Sequence, residues 1–188
     1  MNADAPLKVL GISGSLRKES FNTRLLGLAC DLAPAGMTID MHKPLVDIPV
    51  YNGDDEDRDG IPPSAVEFRE AIRNADGILI VTPEYNFSIP GGLKNAIDWA
   101  SRADHPFKNK PMALMGAAAG PLGSARAQYH LRQSMGALEC LIMPRPEIFV
   151  GAVHTKFDDK GNFTDEVGRE LISQMVKAFQ TWILQVRP

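Results

Sequence analysis

At 188 residues and 44% hydrophobic content, the chain is long enough to close one substantial core, and it is read as a single domain. A formal net charge of −3 argues against the basic face of a general nucleic-acid binder. No apolar run approaches a membrane span, and Met1 to Leu7 lack the basic-then-apolar pattern of a leader, so no membrane partner and a cytoplasmic location are expected.

An apolar run from Lys8 to Ser13 predicts a buried strand, and the spacing of Leu25, Leu28, Ala29 and Leu32 predicts a helix from about Asn22. Between them lies Gly14-Ser15-Leu16-Arg17-Lys18-Glu19-Ser20-Phe21. A strand, a polar loop and a helix start make an anion site, because free N–H groups and the positive end of the helix dipole converge there. Ser13, Ser15, Ser20, Asn22 and Thr23 add short donors, and Arg17 adds a planar cation suited to phosphate oxygens. The loop has neither the Gly-Lys-Ser/Thr of a P-loop nor the Gly-x-Gly-x-x-Gly of a dinucleotide fold. Hydroxyls in place of glycines suit a terminal phosphomonoester better than a bridging pyrophosphate. The competing reading is an ordinary βα turn capped by Ser or Asn.

Pro34-Ala35-Gly36 stops the helix, and Met37 to Met41 gives a second strand. Asp40 could mimic a ribose-binding acid, but a lone acid near a strand end is ordinarily surface. The charged run Asp54 to Asp59 reads as a solvated loop. A helix begins near Pro63, with Ala65, Phe68, Ile72 and Ala75 on one face. Gly77 to Thr82 is apolar almost throughout, as a central parallel strand covered on both faces should be. After Pro83 to Gly92 come a helix carrying Leu93, Ala96, Ile97 and Ala100, a strand from Met112 to Ala118, and a helix carrying Leu131, Met135 and Leu138. Leu141 to Met143 continues into Ile148 to Val150 as a fifth strand interrupted by Pro144 and Pro146, and a last helix spans about Asp165 to Val186. Cys30 and Cys140 form no paired motif and read as small core residues. His42, His105, His130 and His154 are scattered without metal-ligand spacing, so no metal is expected.

Alternating βα units of this length give a doubly wound α/β fold, a five-stranded parallel sheet with helices on both faces. The strand order 2-1-3-4-5 makes strands one and three neighbours, so their C-terminal loops flank the switch point where ligands bind. The loops with unusual content, Gly14 to Phe21 and Pro83 to Gly92, both fall there. In the second, Pro83 and Pro90 bracket Glu84-Tyr85-Asn86-Phe87-Ser88 and stiffen it. Asn86, Ser88 and backbone N–H groups can bond a ring of alternating carbonyls and nitrogens, while Tyr85 and Phe87 offer planar contact. Gly91-Gly92 permits a flat ligand close to the backbone or unusual dihedrals. A phosphate at strand one beside a polar planar group at strand three describes flavin mononucleotide. The competing reading is a capping connection whose aromatics cover the core.

Gly14-Ser15-Leu16-Arg17-Lys18-x-Ser20-Phe21-Asn22 and Thr82-Pro83-Glu84-Tyr85-Asn86-Phe87-Ser88-Ile89-Pro90-Gly91-Gly92, continuing through Leu93-Lys94-Asn95-Ala96-Ile97-Asp98-Trp99, resemble the NAD(P)H-dependent FMN reductase family, in its bacterial quinone and chromate reductase branch. The likeness extends through Gly123 to Arg132. It implies a flavodoxin-like fold holding FMN non-covalently, with NAD(P)H as co-substrate and quinones or other small oxidants, chromate among them, as acceptors. The phosphate loop maps onto Ser15, Arg17, Ser20 and Asn22, with Phe21 beside them, and the isoalloxazine loop onto Pro83, Glu84, Tyr85, Asn86 and Phe87, with Ser88. A third contact maps near Ala118 and Ala119, where relatives often carry hydroxyls and this chain must use backbone groups. The flavin carries the chemistry, so no catalytic side chain is required. The resemblance also implies a homodimer or homotetramer with the third and fourth helices at the contact; Trp99, Arg126 and Tyr129 lie on those helices, and Arg126 and Tyr129 with Glu147 could form a polar interface cluster or equally cap the surface. The alternatives are a flavodoxin-type electron carrier and an FMN-binding regulatory protein.

Overall fold

The computed structural model describes residues 5–186, so Met1 to Asp4 of the N-terminal stretch lie outside the described residues. Its centre is a parallel sheet of β1 (Leu7–Ser13), β2 (Met37–Met41), β3 (Gly77–Val81), β4 (Pro111–Ala117), β5 (Leu141–Ile142) and β6 (Ile148–Val150). The order is β2-β1-β3-β4-β5, with β6 also paired to β4. This is the flavodoxin-like, doubly wound arrangement expected. The fifth strand is two pieces: Leu141 and Ile142 pair with Pro111 and Met112, and Ile148 to Val150 pair with Met115 to Ala117. Pro144 and Pro146 lie in the gap because proline has no N–H to give to a ladder.

The alternation of buried side chains along the strands explains why both faces need cover. Leu79 and Val81 point to the face packed by α1 (Phe21–Asp31) and α6 (Glu166–Val186), through Leu25, Leu26, Met175, Phe179 and Ile183. Ile78 and Ile80 point to the other face, covered by α3 (Pro63–Asn74), α4 (Gly91–Ala100) and α5 (Ala125–Ala137). Gly116 of β4 has no room for a side chain, since a Cβ would collide with the Thr82 carbonyl and the Ser124 hydroxyl.

The acidic run expected as a loop is α2 (Gly53–Asp59). Its signals are electrostatic instead of hydrophobic. The Asn52 side chain accepts from the Asp54 N–H at 3.1 Å, Asp54, Asp55 and Glu56 fill the first turn, Arg58 sits in the last, and Gly60 ends it at φ 77°. No residue of α2 is buried, so hydrophobic periodicity had nothing to report. Trp99, expected at an oligomer contact, is instead 2% exposed in the core. Its Nε1 donates to the Pro49 carbonyl at 2.8 Å, and one turn earlier the Asn95 amide donates to that oxygen and accepts from the Tyr51 N–H. The Asn95 and Trp99 pair therefore pins the loop before α2. Cys30 and Cys140 are half-buried and unpaired. Among the described residues no helix is long and apolar enough to cross a membrane, and no cluster of His, Cys, Asp and Glu is gathered that could hold a metal ion.

Candidate functional site

A cleft of about 240 Å³ opens at the carboxyl ends of the strands. Its lining joins the loop after β1 (Ser15, Arg17, Ser20, Phe21, Asn22), the loop after β3 (Pro83, Glu84, Tyr85) and Ala117 to Ala119 after β4. β1 and β3 are hydrogen-bonded neighbours, with Ser13 opposite Val81, so the two loops face each other across adjacent strands. The loops also touch directly. Leu16 packs against Gly92, where a Cβ would stand 2.8 Å from its Cδ1. Gly92 thus admits a side chain of the first loop, and neither Gly91 nor Gly92 adopts a positive φ.

The first loop is built as an anion cradle. The Ser20 hydroxyl caps α1, accepting from Asn22 and Thr23 N–H at 3.2 and 3.4 Å. The Ser15 hydroxyl accepts from the Arg17 N–H at 3.3 Å, and Ser13 and Thr23 hydroxyls meet at 2.7 Å. A hydroxyl that accepts still has its own proton to donate, so Ser15 and Ser20 remain available to an anion. Among the described residues the N–H groups of Leu16, Lys18 and Glu19 and the guanidinium of Arg17 have no partner. Open donors, a helix N-terminus and one cation fit the phosphate of a mononucleotide.

Asn22 does something else. It is 4% exposed, its Oδ1 accepts from the Ala117 N–H at 2.9 Å and its Nδ2 donates to the Ala117 carbonyl at 3.1 Å. Its amide splices the start of α1 to the end of β4.

The second loop is clamped onto α5. The Glu84 carboxylate accepts from the N–H groups of Arg126 and Ala127 at 2.9 and 3.2 Å and pairs with the Arg126 Nε at 2.9 Å, capping a helix whose own Ser124 makes no cap bond. The Ser88 hydroxyl lies 2.9 Å from the His130 Nδ1. Between these anchors Tyr85 and Ser88 exchange backbone bonds at 3.1 and 3.0 Å around Asn86 and Phe87, at φ 49° and 64°. Two successive positive φ values make a tight hairpin turn, and Phe87 carries a cost of about 1–3 kcal/mol there. Its ring, 64% exposed, receives the Arg126 guanidinium 3.7 Å from its centroid.

Asn86 and Phe87 therefore line a second cavity of about 360 Å³ with Glu84, Ala118, Leu122 and Arg126. The two cavities share Glu84, Ala118 and Ala119. Ser88 lines neither. Ala118 spends its N–H on the Val150 carbonyl and its own carbonyl on the Val153 N–H. Within the protomer Arg126 turns to Glu84, while Glu147 meets Arg132 and Arg145 at 3.6 and 3.2 Å. Val153 and His154 in the cleft, and Gly120, Leu122, Gly123 and Arg126 in the second cavity, escaped the sequence reading as site residues. A signal existed for Val153 and His154, since the loop after the last strand of a parallel sheet opens on the same edge.

The chain matches the model of the NADPH-dependent FMN reductases over residues 7–155. It belongs to that family. It is 48% identical to an NAD(P)H-dependent FMN reductase of Pseudomonas aeruginosa over 182 residues, covering 96% of this chain and 97% of the relative. It is 40% identical to a quinone reductase of Escherichia coli over 183 residues, covering 96% and 97%. The structure superposes on FerB, an NAD(P)H:(acceptor) oxidoreductase of Paracoccus denitrificans, with a TM-score of 0.85 at 34% identity, covering 95% of this chain and 98% of that one. This FMN reductase is an oxidoreductase with FMN as cofactor and NAD(P)H as co-substrate. The relatives are enzymes, which sides with catalysis against an electron carrier or a regulatory protein.

Proposed function

We propose that this family member passes reducing equivalents from NAD(P)H through FMN to quinones or other small oxidants, chromate among them. The observation that carries the reading is the pair of adjoining cavities, one ending in an anion cradle and both sharing Glu84, Ala118 and Ala119. Bound FMN would supply the group that accepts a hydride and gives up reducing equivalents. Arg17, the Ser15 and Ser20 hydroxyls and the open N–H groups of Leu16, Lys18 and Glu19 take the phosphate. Asn22 holds the Ala117 to Ala119 strip in place, and Phe21 flanks the cleft. Pro83, Glu84, Tyr85 and Ala118 form the wall for the flat end of the cofactor, with Glu84 acting as the anchor of that wall. Asn86 and Phe87 edge the cavity beside it, where a second substrate has room, and Ser88 secures their turn.

The same reading extends to a cytoplasmic homodimer or homotetramer without nucleic-acid or membrane partners. The supporting observation is an exposed apolar rim of Tyr85, Phe87 and Leu122 around the cavities, suited to cover by a second copy. Light scattering on the purified protein tests the assembly. The activity is tested by anaerobic bleaching of the bound flavin with NADPH or NADH, followed by steady turnover on 1,4-naphthoquinone. A preparation that takes up no FMN, or whose flavin stays oxidised with both nucleotides, overturns the reading. Arg17→Ala is expected to weaken FMN binding about 10- to 100-fold, for a hydrogen-bonded charge pair of about 1.5–3 kcal/mol, with unfolding unchanged; an unaltered titration removes Arg17 from the cradle.

A further inference from the structure

One wall of the cleft is made by Val153 and His154, in the turn after β6. The turn is held firmly. The Val153 side chain is buried, its N–H donates to the Ala118 carbonyl at 3.2 Å, and Thr155 and Lys156 N–H groups close a 3-10 turn behind it. Downstream, Phe157 packs on Phe21 with ring centroids 5.1 Å apart, and Gly161 lies against the Arg24 guanidinium. Phe21 and Arg24 belong to the first turn of α1, so this segment is docked at the end of the cleft where the cradle lies. Among the described residues the His154 ring has no partner of its own.

We infer that His154 is a second cation for the phosphate of the bound mononucleotide, acting with Arg17 from a separate segment of the chain. The inference rests on the FMN reading of the cleft. A phosphomonoester is mostly a dianion above pH ~6, and an imidazole ordinarily titrates near pH ~6.5. A dianion beside an imidazole favours the imidazolium, so binding near neutral pH takes up a proton. The contribution is therefore largest at low pH and falls as the pH rises. The other titratable groups lining the cleft are Arg17, Glu84 and Tyr85. Glu84 is neutralised by Arg126, Lys156 on the same segment is paired with Asp165, and Arg24 of α1 is paired with Glu19. Among the described residues that line the cleft, Arg17 and His154 are the cations left for an anion entering here, with Lys18 next to Arg17 on the loop outside the lining.

The test is fluorescence titration of apo-protein with FMN and with riboflavin, which lacks the phosphate, near pH ~6.5 and ~8.5. His154→Gln is expected to bind FMN about three- to tenfold more weakly at the lower pH, as for one partly exposed charge-assisted contact. It should bind riboflavin as the wild type does and lose the wild type's decline in FMN affinity with rising pH. Calorimetry in two buffers of different ionisation heat should show proton uptake on FMN binding in the wild type and none in the variant. An unchanged FMN affinity and pH profile overturns the inference alone, as does an equal loss for riboflavin, which would mark a packing role. A wild type that takes up no FMN overturns the cofactor reading and this inference with it.

Discussion

Replacing Asn22 with Leu separates a splice from a ligand, the two roles open to a buried amide at the edge of this cleft. Leucine keeps the branched skeleton of asparagine, with bulkier ends and no donor or acceptor, and suits a buried site, so the change acts chiefly by removing hydrogen bonds. It strands the Ala117 N–H and carbonyl, both buried and both now satisfied by Asn22 at 2.9 and 3.1 Å. Each stranded backbone group costs about 1–3 kcal/mol, so Asn22→Leu should destabilise the apo-protein by about 2–5 kcal/mol. For a domain of this size that is a fall in Tm of roughly 5–15 °C. Urea unfolding of apo-protein followed by far-UV circular dichroism measures it. FMN affinity should fall too, because the Ala117 to Ala119 strip loses its tether to α1. If Asn22→Leu unfolds within about 0.5 kcal/mol of wild type, the range of an inconsequential surface change, yet loses FMN as Arg17→Ala does, the amide is a phosphate ligand and the splice is refuted.

Glu84→Ala should cost about 1–3 kcal/mol, since it removes both the cap of α5 and a carboxylate at the positive end of its dipole. Glu84→Gln should cost about half of that, within the same range of cap energies. An Ala variant of undiminished stability that no longer holds FMN would make Glu84 a direct contact instead. Burial pushes the Cys30 thiol up to about 11, with Asp31 and Asp40 adding to it, and the Cys140 thiol up to about 12 against the opposing pull of Lys110. At pH ~8 fewer than about one in a thousand of either would be thiolate, so the native protein should resist thiol reagents that react fully once it is unfolded. Prompt native-state labelling of either cysteine would contradict the burial.

The residues of the first loop announced their chemistry because a cradle at a strand–helix junction is local. Ser20 caps the helix it precedes, Ser15 bonds a residue two places on, and both stay within one turn of Arg17. The acidic helix α2 was equally local, but its message lay in a cap, a dipole and a stop instead of an apolar stripe. Glu84, Ser88, Asn22 and Trp99 were located correctly as loop or helix residues, but the protein groups they bond were not legible. Each spends its polar group on a segment far along the chain: Glu84 on residues 126 and 127, Ser88 on His130, Asn22 on Ala117 and Trp99 on Pro49.

Hydrophobic period and turn chemistry act over a few residues, so sequence alone determined the parallel sheet, its order and the edge on which the cleft opens. Which side chains reach that cleft was decided only by the folded chain. A carboxylate or amide bonds whatever donor or acceptor the topology brings within about 3 Å. Nothing in the spacing of Asn22 and Ala117, or of Arg17 and His154, says that a strand end or a distant turn will arrive there.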